Sequence, residues 1–132
     1  MALEHEEVTE QIIGAAIEVH KTLGPGFIES VYEPALVVEL RQRSIPFARQ
    51  VSVQILYRDV RVGRHRLDFF VANQIVVEIK AVRHLEDVHF AVVKSYLRVV
   101  GRSHGLMLNF AKTKLEIRRV STKGFSPGFM AS

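Results

Sequence analysis

An acid and a lysine that interrupt an apolar run are the residues of this chain best suited to chemistry. Residues 74–82 read Gln-Ile-Val-Val-Glu-Ile-Lys-Ala-Val, a β-branched sequence typical of a buried strand. Glu78 and Lys80 are two positions apart, so both side chains leave the same face of that strand. A buried charge is costly unless it is paired or binds a metal. With Asp68 ten positions before Glu78, the pattern indicates a divalent-metal site, and the alternative is a buried ion pair.

Whether Asp68 and Glu78 meet depends on the length of the turn between their strands. A two-residue turn at Asn73 and Gln74 would place Asp68 opposite Ile79, with the charges on opposite faces of the sheet. A three-residue loop centred on Asn73 would place Asp68 directly across from Glu78. We predict the three-residue loop or an equivalent bulge.

Two carboxylates at that separation suit Mg²⁺ or Mn²⁺, which are hard cations that prefer oxygen ligands and keep part of their water. A cation held there can activate water and stabilise negative charge on a phosphoryl oxygen. Lys80 would then position the water or stabilise the developing charge. These residues therefore predict hydrolysis of a phosphate ester.

The hydrophobic pattern predicts the elements that must position these residues. Helices are predicted over residues 7–23, 28–43 and 85–100, and strands over 50–57, 60–72, 75–82, 104–110 and 115–120. Because a helix between the third and fourth strands permits a crossover, we expect an α/β (α+β) fold with a mixed sheet of about five strands flanked by helices.

The predicted second strand is rich in arginine. Strict alternation puts Arg64, Arg66, Asp68 and Phe70 on one face of it, and His65, Leu67, Phe69 and Val71 on the other. Since Arg64 and Arg66 share the face of Asp68, we expect them to contact a phosphate-bearing substrate.

Composition and length limit the possible binding partners, cysteine chemistry, domain organisation and cellular location. The net charge of +4 is mildly basic, and its clusters either meet phosphates or form a solvated surface. The absence of cysteine excludes disulfides, thiolate catalysis and cysteine-zinc sites. With 132 residues, we expect one domain over residues 1–120 and a loosely ordered tail over 121–132. An acidic start and short apolar runs predict a cytoplasmic protein of a bacterium or archaeon, without a membrane partner.

Several segments, in order, resemble one family. The segment from Gly26 to Tyr32 resembles the motif that names the GxxExxY proteins. Further segments that look like this family are residues 13–21, 67–68, 77–82, 95–97 and 105–110. The resemblance extends to about Val120. The chain is also similar to the wider PD-(D/E)XK nuclease-like superfamily. That superfamily has a restriction-endonuclease-like core running helix, three strands, helix, strand, and the element order predicted above fits it.

The resemblance implies a role for each matching residue. Glu29 matches the family's leading acid on the first core helix, and Asp68 matches the central aspartate. Glu78 and Lys80 match the acid and lysine of the E-x-K motif, and the backbone carbonyl of Ile79 would face the metal. The implied activity is a nuclease that uses Mg²⁺ or Mn²⁺.

Three further residues are predicted to support the site. Tyr32 lies one helical turn after Glu29 and either orients that acid or is a core aromatic with a satisfied hydroxyl. His89 and Tyr96 are expected near the site on the third helix. The family usually has glutamine where this chain has Val92, and valine forms no hydrogen bond, so turnover is in question.

Three functions are therefore compatible with the sequence. The first is a metal-dependent nuclease acting on DNA or RNA. The second is a binding module for nucleic acid that has lost turnover, and the third is a protein-interaction module in which the charges are structural. A nuclease of this size would cut a duplex most easily as a homodimer.

Overall fold

The computed structural model describes residues 4–122 and has the element order expected from the sequence. Its elements are α1 (His5–Leu23), α2 (Glu29–Gln42), β1 (Phe47–Tyr57), β2 (Val60–Val71), β3 (Ile75–Lys80), α3 (Asp87–Val100), β4 (His104–Asn109) and β5 (Glu116–Ser121). Ser121 therefore ends a strand, and the expected loose tail lies outside the described residues from position 123 onward. Within the described range, no helix is both long and apolar enough to cross a membrane.

The five strands form one mixed sheet in the order β1-β2-β3-β4-β5. The pair β3–β4 is parallel and the other three pairs are antiparallel. Parallel neighbours need a crossover connection, and α3 supplies it between β3 and β4. The predicted α/β (α+β) fold with a restriction-endonuclease-like mixed sheet is confirmed.

Helices cover both faces of the sheet. On one face, α1 and α2 pack against Val77 and Ile79 of β3, and on the other face α3 packs against Val76. All three side chains are at most 1% exposed. A strand buried on both faces reads as a continuous apolar run, which explains the sequence of β3.

The loop between β2 and β3 has the predicted three residues, centred on Asn73. Phe69 pairs with Val77 and Val71 pairs with Ile75, so the loop spans residues 72–74. Ala72 and Asn73 take the left-handed conformation, with φ of 52° and 55°. The same register continued by one step sets Asp68 across from Glu78.

Side chains of β2 do not alternate strictly, so the predicted faces of this strand are partly wrong. Phe69 packs towards α1 and α2 and Phe70 towards α3, yet Leu67 also packs towards α3. The alternation breaks at Asp68. Opposite it in β1, Gln50 has φ of 53°, and the pairing of β1 with β2 skips these two residues. A left-handed residue in a strand bends it and reorients the side chains that follow.

This break moves the two arginines. His65 contacts the ring of Tyr96 on α3, with ring centroids 5.4 Å apart, so the α3 side of the strand carries residues 65 and 67. Arg64 and Arg66 therefore lie on the opposite side, exposed, and do not share a face with Phe70 as expected.

Gly105 of β4 allows α3 to approach the sheet, which leads to a stability prediction. A Cβ atom there would lie 3.1 Å from Cγ1 of Val93 and 3.2 Å from the backbone oxygen of Val76. We expect Gly105→Ala to lower the free energy of unfolding by about 1–2 kcal/mol because the helix must move outward. Gly63→Ala is the matched control, since its Cβ would meet only ordinary contacts at 3.9 Å. Urea unfolding measures both, and equal stabilities of the two variants would contradict the close-packing argument.

Candidate active site

Two carboxylates replace the backbone ladder where β2 and β3 separate. The backbone pairing of β2 with β3 ends at Phe69 and Val77. Beyond it, the backbone N–H of Asp68 donates to Oε1 of Glu78 at 3.1 Å, and the N–H of Ile79 donates to Oδ2 of Asp68 at 2.8 Å. Each acid thus satisfies a backbone donor of the neighbouring strand. This exchange holds the two carboxyl groups together at the point of separation.

Burial perturbs the ionisation of both acids. Glu78 is 6% exposed, and its burial, reinforced by the negative charge of Asp68, raises its pKa to about 9. The pKa of Asp68 is also raised, chiefly by burial, although the N–H of Ile79 and the hydrogen bond with Glu78 oppose the change. At neutral pH the pair therefore retains a proton, because the burial of Glu78 and the repulsion between two neighbouring carboxylates both oppose full ionisation. A cation would relieve the same repulsion.

Lys80 lies beside this pair without neutralising it by contact. Its positive charge lowers the pKa of Glu78, but less than burial and Asp68 raise it. No ion pair joins Glu78 and Lys80 within residues 4–122. The side chain of Lys80 is partly exposed. The ammonium group is thus available to a ligand rather than committed to a buried ion pair.

Acids of α2 face the pair from the other layer. Glu29 is the first residue of α2, and its Oε1 accepts a hydrogen bond from the N–H of Ala81 at 3.3 Å. The charges of Glu33 and Glu29 both raise the pKa of Asp68. Sequence reasoning missed Glu33, although its spacing of four from Glu29 places both on one helix face.

The donor set fits a hydrated divalent cation held by few protein ligands. Among residues 4–122, no group of three or more histidine, aspartate or glutamate side chains lies close enough to bind one ion. Asp68 and Glu78 still supply two carboxylates, and Mg²⁺ is commonly bound by one or two carboxylates with water completing its shell. Glu29 and the carbonyl of Ile79 as further ligands stay predictions.

Comparison with known protein families decides the membership of the chain. Residues 6–120 match the family model of the PD-(D/E)XK nuclease superfamily. The chain belongs to the PD-(D/E)XK nuclease superfamily. Searches of curated proteins and of solved structures each found no match. The matched range runs from the first turn of α1 to Val120 in β5 and includes all the acids described above.

Tyr32 holds the loop before α2 in this member of the PD-(D/E)XK nuclease superfamily. Its hydroxyl donates to the backbone oxygen of Gly24 at 2.6 Å and accepts from the N–H of Phe27 at 3.2 Å. The ring is fully buried and stacks on Phe110, with centroids 4.5 Å apart. Of the two predicted roles, the structure shows the core aromatic with a satisfied hydroxyl. It fixes the segment that leads into Glu29.

The two predicted residues of α3 lie in different places. The pKa of Tyr96 is raised by burial and then by the charges of Glu78 and Asp68, so its phenol lies within electrostatic range of the acids. His89 instead belongs to the start of the helix. Its Nδ1 accepts from the N–H of Glu86 at 2.9 Å, forming a capping box.

Asn109 is a buried polar residue that sequence reasoning left without a role. Its side chain is fully buried and bonds both sides of Val82, accepting from the N–H at 3.0 Å and donating to the carbonyl at 2.9 Å. It also donates to Glu116 at 3.1 Å. These bonds fix the chain just after Lys80. An asparagine inside the apolar run of residues 105–110 was the available signal.

The raised pKa of Glu78 predicts a pH-dependent stability. Below the ordinary pKa of 4.5 the Glu78 carboxyl is protonated in both folded and unfolded chains, so its burial does not lower the free energy of unfolding. As pH rises towards about 9, the unfolded chain releases the proton and the folded chain does not, so stability falls. We expect Glu78→Gln to melt at a higher temperature than the wild type at pH 8 and at the same temperature near pH 4, in EDTA.

The exposed Glu10 provides the control, since Glu10→Gln changes the same chemical group on the surface of α1. Thermal melts across this pH range compare the three proteins. A difference between Glu78→Gln and wild type that does not change with pH would contradict the raised pKa of Glu78.

Proposed function

We propose that this protein is a metal-dependent nuclease that hydrolyses phosphodiester bonds of DNA or RNA at the Asp68–Glu78 pair. The observation that carries the proposal is the separation of β2 and β3, where the buried Glu78 and the partly buried Asp68, both of raised pKa, each bond the backbone of the opposite strand. Membership of the PD-(D/E)XK nuclease superfamily supports it, since nucleases of this superfamily generally use divalent metals.

Each residue has a distinct part in this proposal. Asp68 and Glu78 would hold Mg²⁺ or Mn²⁺, and the carbonyl of Ile79 and the carboxylate of Glu29 would be further oxygen donors. When bound, the ion supplies a Lewis acid that polarises a phosphoryl oxygen and lowers the pKa of water. The ammonium group of Lys80 orients the attacking water and stabilises negative charge on the phosphate. The hydroxyl group of Tyr96 helps to position Glu78.

The acid pair also limits how one chain can act. Each chain carries one such pair within its described residues, which suffices for one phosphodiester bond at a time. Cutting both strands of a duplex at one place would use two copies of the chain. A homodimer is therefore part of the proposal for duplex substrates, and light scattering with and without DNA measures it.

The central prediction concerns Glu78 and Lys80. With Mn²⁺, wild-type protein is expected to cleave plasmid DNA, single-stranded DNA or RNA. Glu78→Ala and Lys80→Ala should each lower the rate by about 100-fold or more, because they remove a metal ligand and the charge beside the phosphate. The control is Lys21→Ala, at an exposed position of α1. Circular dichroism confirms that each variant is folded, and calorimetry measures Mn²⁺ binding. Absence of both cleavage and Mn²⁺ binding in the wild type would refute the proposal.

A second candidate is a nucleic-acid-binding module without turnover, favoured by Val92 at the position where the family usually has glutamine. Val92 is 37% exposed and lies one helical turn before Tyr96. A module of this kind would bind nucleic acid in a salt-sensitive way, and its binding would survive Lys80→Ala without any product.

Restoring the amide separates the two candidates. If the site is a nuclease weakened at this position, Val92→Gln should raise the rate of Mn²⁺-dependent cleavage several-fold, because the amide can bond water or phosphate. Val99→Gln is the matched control, since Val99 is 42% exposed on the same helix. Single-turnover cleavage assays provide the measurement. Equal rates for the two variants would contradict a role for position 92 in turnover.

A further inference from the structure

A two-stranded ribbon projects from the sheet directly beside the acid pair. We name residues 52–66 the arm. Pairing of β1 with β2 continues through it, from Ser52 with Arg66 to Tyr57 with Val60. By contrast, β3 pairs with β2 only at residues 69–71. The arm is therefore about 17 Å long at ~3.3 Å per residue, and it begins two positions from Asp68.

The arm has one face that rests on the protein and one that does not. Val53 packs partly against the cluster below α3, and His65 contacts the ring of Tyr96. The opposite face carries four exposed polar side chains, arranged as two cross-strand pairs: Ser52 with Arg66, and Gln54 with Arg64.

The charge of the arm is one-sided. It contains four arginines, at positions 58, 61, 64 and 66, against a single acid, Asp59. Neither Arg64 nor Arg66 takes part in an ion pair within the described chain. Arginine binds phosphate through two parallel hydrogen bonds, so a face of unpaired arginines complements a phosphate backbone.

The tip of the arm combines strain with exposed apolar groups. Arg58 and Asp59 form the two-residue turn with φ of 49° and 64°, a conformation that asparagine and glycine adopt far more readily than arginine. Around the turn, the exposed apolar side chains are Leu56, Tyr57, Val60 and Val62, each 57–63% exposed. The strained turn thus keeps a cation among apolar groups at the most distant point of the ribbon.

We propose that the arm binds the major groove of duplex DNA beside the phosphate at the acid pair. Arg64 and Arg66 contact backbone phosphates, and the tip around Arg58 meets base edges and thymine methyl groups. This inference rests on the proposed nuclease function and adds its substrate class, B-form duplex DNA.

The dimensions of the ribbon favour this substrate. The major groove of B-DNA is about 12 Å wide and admits a two-stranded ribbon, whereas the major groove of A-form RNA is too narrow. Single strands are usually gripped by a row of stacking aromatic side chains, and Tyr57 is the one tyrosine, phenylalanine or tryptophan of the arm. A second copy of the arm would bring arginines against arginines, which disfavours self-association through this face.

The first test removes charge from the arm and, as a control, from the far edge of the sheet. Fluorescence anisotropy in EDTA measures binding of a short DNA duplex over a range of salt concentrations. R64Q/R66Q should weaken binding by tenfold or more and reduce the salt slope by about 2, one released counterion for each lost phosphate contact. K21Q/K114Q removes the same charge near β5 and should leave affinity and slope close to the wild type.

A second variant separates binding from folding. R58N/D59G relaxes the strained turn, so its melting temperature should rise while its affinity for the duplex falls. A loss of affinity in a protein that is more stable than wild type cannot come from misfolding. Unchanged affinity in this variant would show that the tip does not contact DNA, which would overturn the proposal.

The outcomes also separate this inference from the proposed function. Wild-type binding that R64Q/R66Q lowers no more than K21Q/K114Q overturns the arm and leaves the nuclease standing. Tighter binding of single strands or of RNA duplex than of DNA duplex likewise overturns the arm's substrate. If the wild type binds no nucleic acid in this assay, the arm proposal fails, whereas the nuclease proposal fails only if Mn²⁺-dependent cleavage and Mn²⁺ binding are also absent. A dimer that the arm variants convert to monomer, measured by light scattering, assigns the arm to a second copy and overturns the proposal.

Discussion

The separation of β2 from β3 at Asp68 and Glu78 is the constraint on which the rest of the site depends. A backbone ladder that stops inside a protein leaves N–H groups that must find acceptors. Here the acceptors are the two carboxyl groups, each bonded to the opposite strand. The arrangement brings the buried Glu78 and the partly buried Asp68 together, and its electrostatic cost appears in the pKa of Glu78, raised to about 9. The carboxyl groups that satisfy the backbone N–H groups are thus the same groups that could bind a cation.

Elements from both layers keep this opening in place. Below the sheet, α2 bonds the end of β3 through Glu29 and Ala81. On the other side of β3, Asn109 of β4 holds both polar groups of Val82. Gln50 in its left-handed conformation bends β1 opposite Asp68. Three segments, α2, β4 and β1, therefore hold the backbone around the acids, which is how a site on strand ends becomes rigid.

Sequence reasoning succeeded where the rule was local and periodic. The three-residue loop at Asn73 followed from the requirement that two charges share a face, and the observed register has it. The same alternation rule failed further along β2, where Leu67 lies on the α3 side. The break coincides with the left-handed Gln50 on the partner strand, which no pattern within β2 reveals. His89 shows a similar limit, because its capping bond to Glu86 depends on where the helix begins.

The sequence by itself determined the order of the elements, the acids and lysine of the site, and the likeness to a nuclease superfamily. These depend on hydrophobic period and on residue type, which are written along the chain. Only the tertiary structure decided that Arg64 and Arg66 lie on the free face of a projecting ribbon, that Glu33 faces Asp68, and that Asn109 clamps Val82. Each of these depends on a segment distant in sequence, and the bend or contact that joins them is set by packing rather than by local preference.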